Sequence, residues 1–191
     1  MLISHLHADH LVDLIPLRHY LRYEAGAPSL AVHGPAELRA RMDAFQAGTD
    51  FLSPLAGDAL RPGTFELAGF EVEARHVTHI ADSFAFRVAL PGGGPGLVYS
   101  GDCGVAADLL PLVRPGDTLL CEAALGTDDV APGGMHLTAG QAAAAAARSG
   151  AARLVLTHVL DAYPRHAVLA SAQAAFSGEV VLARPGLEVM L

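Results

Sequence analysis

His5-Leu6-His7-Ala8-Asp9-His10 stands almost at the start of the chain and gathers three imidazoles and one carboxylate into six positions. Such a density of nitrogen and oxygen donors suits a transition-metal site better than it suits packing. Neutral imidazole and carboxylate are the groups that Zn²⁺ and similar borderline cations accept. In H-E-x-x-H the two His meet on consecutive turns of a helix; here donors at alternating and then adjacent positions call for a bent loop. Leu2-Ile3 before the run reads as a strand end, and residues 11–23 after it carry apolar side chains at helical spacing. A His-rich polar surface loop is the alternative, and the partners found downstream weigh against it.

Working outward, short apolar strands alternate with helices, which gives an α/β or α+β class. Residues 29–32 read as a strand ended by Gly34-Pro35, and 36–45 as a helix. Residues 65–67, 70–76 and 84–90 alternate apolar and other side chains, as antiparallel strands do. After the turn Pro91-Gly92-Gly93-Gly94-Pro95-Gly96, residues 97–100 return as a strand, followed by a short helix over 106–113 and a strand over 118–122. Residues 126–134 form a Gly/Pro/Asp loop. Thr138 caps a helix that runs through Arg148 and closes at Gly150. Residues 155–157 are a buried strand ending at His158, and 165–176 a last helix. Residues 180–183 and 187–190 are expected to pair as a hairpin around Arg184-Pro185-Gly186. No repeat or linker is visible.

The 191 residues are 52% hydrophobic, mostly Ala, Leu and Val, with 6% aromatic and no Trp. That is enough for one substantial core of small aliphatics and too short for two comfortable domains. Arg, Asp, Gly or Pro interrupts every apolar run, so no membrane span is read. No charged segment followed by an apolar one opens the chain, and the cytoplasm is the expected compartment. Every basic residue is Arg, and the formal net charge is −8. This argues against nonspecific binding to a polyanion, which needs a Lys/Arg stripe. Cys103 and Cys121 form no CxxC pair and are expected to be reduced and partly buried.

Further His and Asp candidates occur where strands run out. Asp102 follows Tyr99-Ser100-Gly101, His158 terminates Leu154-Val155-Leu156-Thr157, and His79 lies between two strand-like segments. Loops at strand ends aim side chains at a common point while the sheet holds them still. His76 is the rival to His79, but the Ser83-Phe84-Ala85-Phe86-Arg87 spacing favours His79. His19, His33 and His166 read as structural or solvated, and Arg87 and Arg165 as members of surface salt bridges.

Taken in order, these segments resemble the metallo-β-lactamase fold hydrolases, and among them the ribonuclease Z-like, phosphodiesterase-like branch. They are residues 5–10, Val32-His33-Gly34-Pro35, His79 with 83–87, and 99–102. Cys121-Glu122-Ala123, His136-Leu137-Thr138-Ala139 with Gln141-Ala142, and Leu156-Thr157-His158 complete the set. The resemblance spans nearly the whole chain. It implies a four-layer αββα sandwich over residues 1–191 as a single hydrolase domain. It also implies two divalent metal ions about three to four ångström apart, with Zn²⁺ the first candidate and Mn²⁺ or Fe²⁺ also suited.

The resemblance further implies that His5, His7 and His79 hold the first ion and Asp9, His10 and His158 the second, with Asp102 bridging. A hydroxide between the metals would be the nucleophile, oriented or deprotonated by Asp9. His136 matches a position that faces the substrate phosphate and is not a ligand in that branch; there a His stabilises charge or protonates the leaving oxygen. A surface residue at a helix N-terminus is the alternative for His136. Glu122 would hydrogen-bond His136 and set its tautomer. The expected activity is hydrolysis of a small phosphodiester or related ester.

Three departures qualify the resemblance. The family pattern carries a sizeable segment before the H-x-H-x-D-H run that supplies strands of the first sheet and part of the rim. The chain is therefore expected to be a fragment or a mis-started reading frame with N-terminal strands missing. Only a short stretch separates His79 from Asp102, where classical ribonuclease Z enzymes insert an arm that grips transfer RNA, so transfer-RNA processing is not expected. Cys103 replaces the Thr usual after the bridging Asp. A lactonase or glyoxalase II-like thioesterase on the same scaffold, or a noncatalytic remnant, stands as the alternative, and a homodimer is left open.

Overall fold

The computed structural model describes residues 1–26, 30–45, 50–52, 55, 57–130 and 134–190. They fall into two compact units, Met1–Arg61 and Pro62–Leu191.

In the first unit α1 (Ala8–Leu11), α2 (Leu14–Tyr23) and α3 (Leu38–Phe45) surround a core of Ile3, Leu11, Leu14, Leu21, Val32, Leu38, Met42 and Leu55. The helix expected over 11–23 is broken at Val12 and Asp13. Pro16 explains the break: its ring clashes with the carbonyl four residues back and it has no N–H to donate. The chain therefore restarts a helix at Leu14, with Pro16 in the first turn where no donor is needed. The helix expected over 36–45 begins at Leu38. Among the described residues this unit holds no regular strand. It has two isolated parallel bridges instead, Leu2 with His33 and Gly34 with Ala59. Leu2 thus pairs as a strand end should, and Ser29 of the expected strand lies outside the described residues.

In the second unit seven strands form one mixed sheet in chain order: β1 (Gly63–Leu67), β2 (Phe70–His76), β3 (Phe84–Ala89), β4 (Leu97–Tyr99), β5 (Thr118–Glu122), β6 (Arg153–Thr157) and β7 (Glu179–Leu182). β1 to β4 run antiparallel and β4 to β7 parallel. The mixed α/β class expected from the sequence is the one observed. Parallel neighbours need crossovers. A 3₁₀ turn (Ala106–Leu109) lies between β4 and β5, α4 (Ala139–Ser149) between β5 and β6, and α5 (Arg165–Ala175) between β6 and β7.

α4 follows its sequence signals closely. Thr138 Oγ1 accepts from Gln141 N while the Gln141 side chain accepts from Thr138 N, and Gly150 closes the helix at φ 74°. Its buried face is Ala139, Ala142, Ala143, Ala145 and Ala146, with no side chain longer than a methyl to hold the helix away from its neighbours. Leu119, Cys121, Leu154 and Leu156 of the sheet share one core with these alanines and with Val168 and Ala172 of α5.

The expected terminal hairpin is not formed. β7 pairs with β6 in parallel, and residues 187–190 join no strand; the Met190 carbonyl instead accepts from Arg153 Nη1 at 2.7 Å. Arg87 is also not at the surface. Its guanidinium is 3% exposed and bidentate on Asp117, itself fully buried, through Nε at 2.8 Å and Nη2 at 2.9 Å. Arg165 donates to the Ala183 carbonyl at 3.3 Å.

Candidate metal centre

Parallel strands deliver their C-terminal ends to one edge of a sheet, and ligands collect there. β4 ends one residue before Ser100-Gly101-Asp102, β5 ends at Glu122, and β6 ends at Thr157 before His158. Gly101 takes φ 56° directly before Asp102, the tight backbone path its sequence position suggests. His158 takes φ 54°, a left-handed conformation that costs a non-glycine residue about 1–3 kcal/mol and concentrates at functional sites.

In this unit three imidazoles surround one buried carboxylate. Asp102 Oδ2 lies 3.7 Å from His79 Nε2 and 3.9 Å from His136 Nδ1, and Asp102 Oδ1 lies 3.5 Å from His158 Nδ1. His79 Nδ1 donates to the Met135 carbonyl at 2.7 Å, which leaves Nε2 lone-paired toward Asp102. His76, its rival in the sequence, packs against Phe84, the two rings tilted with centroids 4.5 Å apart.

Glu122 accounts for the position of His136. Its carboxylate accepts from the amides of Cys103 at 3.0 Å, Ala124 at 2.9 Å and Leu137 at 3.1 Å, and pairs with His136 Nδ1 at 3.1 Å. Burial pushes the Glu122 carboxyl above its ordinary range, and these amides with His136 offset part of that push. Glu122 thereby ties three segments together as well as holding one imidazole. Cys103 and Cys121 are both free and buried, and burial pushes the Cys103 thiol up to about 12.

In the first unit the donors of the opening run also converge. His5 is fully buried, its Nδ1 3.2 Å from Ser4 Oγ and its Nε2 3.2 Å from His7 Nδ1. The His5 and His10 rings lie 4.2 Å apart, and His10 Nε2 is 3.4 Å from Asp9 Oδ2. Only part of the run is the bent loop the spacing suggested: His7 is extended at the N-cap, while Asp9 and His10 occupy the single turn of α1. Imidazole nitrogens and carboxylate oxygens drawn to within hydrogen-bond range of one another are a donor set that fits a borderline divalent cation.

Some contributors carry no local sequence signal. Asp108 Oδ2 accepts from the Thr78 amide at 2.8 Å and Gly104 N donates to the Thr78 carbonyl at 2.7 Å, fixing the segment that carries His79. Nothing in the sequence around Asp108 marks it.

The family model of the beta-lactamase superfamily domain matches residues 1–159. The chain belongs to the beta-lactamase superfamily. An uncharacterised protein of Mycobacterium tuberculosis is 33% identical over 196 residues, covering 94% of this chain and 68% of that one. A ribonuclease Z of Bacillus velezensis is 27% identical over 84% of this chain and 70% of its own length. Among solved structures, the metallo-β-lactamase fold protein YhfI from Bacillus subtilis superposes with a TM-score of 0.80 at 26% identity, covering 97% of this chain and 75% of that one. The short form of human tRNase Z gives 0.65 at 26% identity, covering 95% and 74%. The superfamily hydrolase reading and the metallo-β-lactamase fold expected from the ordered segments are thus both found.

Proposed function

We propose that this chain is a metal-dependent hydrolase of small phosphodiesters or related esters, working as one domain over residues 1–191. The observation that carries the substrate class is His136, held by Glu122 at 3.1 Å beside the buried Asp102. Ribonuclease Z relatives, whose name denotes cleavage of phosphodiester bonds, add support. In this reading His5, His7 and His79 would hold one divalent ion and Asp9, His10 and His158 a second, with Asp102 offering its carboxylate to both. Zn²⁺ is the first candidate. When bound, two such ions supply an activated water and Lewis-acid polarisation of the scissile group.

The chain's own residues do the rest. Asp9 orients the attacking water or accepts its proton at a carboxylate oxygen. Glu122 fixes His136 with Nδ1 as the proton-bearing nitrogen, so Nε2 is the atom turned to substrate. A protonated His136 stabilises developing charge and passes its Nε2 proton to the leaving oxygen. Cys103 contributes its amide to Glu122, while its thiol stays protonated and takes no part.

The test is metal analysis together with cleavage of bis(p-nitrophenyl) phosphate. We expect about two ions per chain and slow cleavage. Asp102→Ala and His158→Ala should abolish activity together with metal, whereas His136→Ala should keep the metal and lose about 10²–10⁴-fold in kcat. A metal-loaded protein that spares phosphodiesters but opens lactones or thioesters would overturn the substrate assignment.

A further inference from the structure

We propose that Tyr163 is a positioning residue that latches the segment bearing His158 to the segment bearing His136, through Gly126 and Asp128. The proposal rests on the hydrolase reading above for its functional meaning, but its geometry lies wholly within the second unit.

β6 ends at Thr157, whose carbonyl accepts from the Ala123 amide at 2.9 Å. The chain then passes through His158 in its left-handed conformation and makes a turn, Tyr163 N donating to the Leu160 carbonyl at 3.1 Å, before Pro164 starts α5. A left-handed non-glycine residue persists where its surroundings hold it, and Asp102 Oδ1, 3.5 Å from His158 Nδ1, is one such neighbour. Tyr163 supplies a further hold. Its ring lies flat against Gly126, where an added Cβ would meet the ring carbons Cγ, Cδ2 and Cδ1 at 2.3, 2.5 and 2.6 Å. Its hydroxyl donates to Asp128 Oδ2 at 2.7 Å. The acceptor keeps this phenol protonated, raising its pKa above the ordinary value.

The loop so gripped is clipped in turn to the His136 segment. Leu125 N donates to the Leu137 carbonyl at 3.1 Å and Ala139 N to the Gly126 carbonyl at 2.8 Å. Gly126 and Asp128 are therefore the joint between two segments whose imidazoles stand 5.5 Å apart. The hydroxyl–carboxylate bond is solvent-exposed and contributes little to global stability. What it sets is where His158 sits relative to His136 and Asp102.

The experiment compares Tyr163→Phe, Asp128→Ala, Asp128→Asn and the double variant Y163F/D128A in the full chain. Zn²⁺ affinity is measured by competition with a chromophoric chelator, alongside thermal melts of the metal-free proteins. Tyr163→Phe keeps the ring on Gly126 and removes only the hydroxyl. It and Asp128→Ala should weaken one of the two Zn²⁺ affinities, that of the ion His158 would hold, by about tenfold, leave the other alone and barely move the melting temperature. Asp128→Asn keeps a carbonyl acceptor and should bind as wild type, and the double variant should be no worse than either single. Wild-type affinity in Tyr163→Phe, an Asn variant as impaired as the Ala variant, or a loss that tracks melting temperature would each overturn the latch. If the wild-type chain takes up none of Zn²⁺, Mn²⁺ and Fe²⁺, the hydrolase reading fails and amide hydrogen exchange of the metal-free chain decides the latch separately. Faster exchange over residues 159–163 in Tyr163→Phe supports it, and unchanged exchange overturns it.

Discussion

Arg87 and Asp117 show how far a single residue's role can lie from its sequence neighbourhood. Asp117 accepts from Arg87 Nε and Nη2, from the Gly96 amide at 2.7 Å and from the Arg114 amide at 2.9 Å, while Arg87 Nη2 also reaches the Gly94 carbonyl at 2.8 Å. The pair fastens β3, the glycine turn and the entry to β5. A lone Arg in a strand pattern reads as a surface residue because its partner lies thirty positions away. Breaking such a pair strands a buried charge, so Arg87→Met or Asp117→Leu alone should cost about 3–5 kcal/mol, and the double variant much less. The pair also has a pH signature. Burial pushes the Asp117 carboxyl up, but Arg87 and the amides of Arg114 and Gly96 outweigh it and hold the folded value below the ordinary one. The stabilisation is therefore fully present above the unfolded pKa of about 3.9 and is lost as pH falls through the depressed folded value. Urea melts from pH 7 to pH 3 should show wild-type stability falling more steeply below pH ~4 than that of the double variant; parallel curves would refute this account.

Among the elements, the segment after β4 concentrates the constraints of the second unit. Gly104 is wedged against the backbone of the His136 segment: a Cβ there would lie 1.6 Å from the Gly134 carbonyl oxygen and 2.5 Å from its carbon. Its amide holds the Thr78 carbonyl of the His79 segment. Gly104→Ala must therefore move backbone on one side or the other, and we expect a loss of about 1–3 kcal/mol with weakened metal binding, measured by denaturant melts and Zn²⁺ titration. An alanine variant of wild-type stability would mean that the approach is looser than described. The same elements show what the sequence discloses. β5, β6 and α4 were legible because each carries its own signals: a continuous apolar run, a turn residue, a capping box. The pairing of β7 was not, since alternation in 187–190 states only that a strand is permitted and does not name the neighbour it would pair with. The broken helix at Val12 follows from Pro16, a signal present in the sequence but overridden there by the apolar spacing. His5, His7, Asp9, His10, His79, Asp102 and His158 stood out as candidates because imidazole and carboxylate are among the few side-chain groups that a borderline cation accepts. Gly104, Asp108, Asp128 and Tyr163 were not, because any small or polar loop residue is compatible with their positions until the facing segment is known.

For the molecule as a whole, charge bears on the proposed preference for a small substrate over a nucleic acid. The chain carries 20 acidic against 12 basic residues, all of the latter Arg. Several of those arginines are already committed: Arg87 to Asp117, Arg75 and Arg114 to Glu73, Arg153 to Glu179, and Arg39 to Asp50. Binding a phosphate backbone draws its free energy from displaced counterions, roughly one per cation brought to a phosphate. A chain with a formal charge of −8 and five of its twelve guanidiniums already paired with carboxylates has little to offer in that exchange. Bound divalent ions would change the field only locally, favouring a compact anion over a long one. Electrophoretic mobility of labelled transfer RNA should therefore be unshifted by micromolar protein at about 0.15 M salt, under conditions where bis(p-nitrophenyl) phosphate is cleaved. Retention of transfer RNA with a steep dependence on salt would reverse the conclusion and align this chain in substrate, as well as in fold, with its ribonuclease Z relatives.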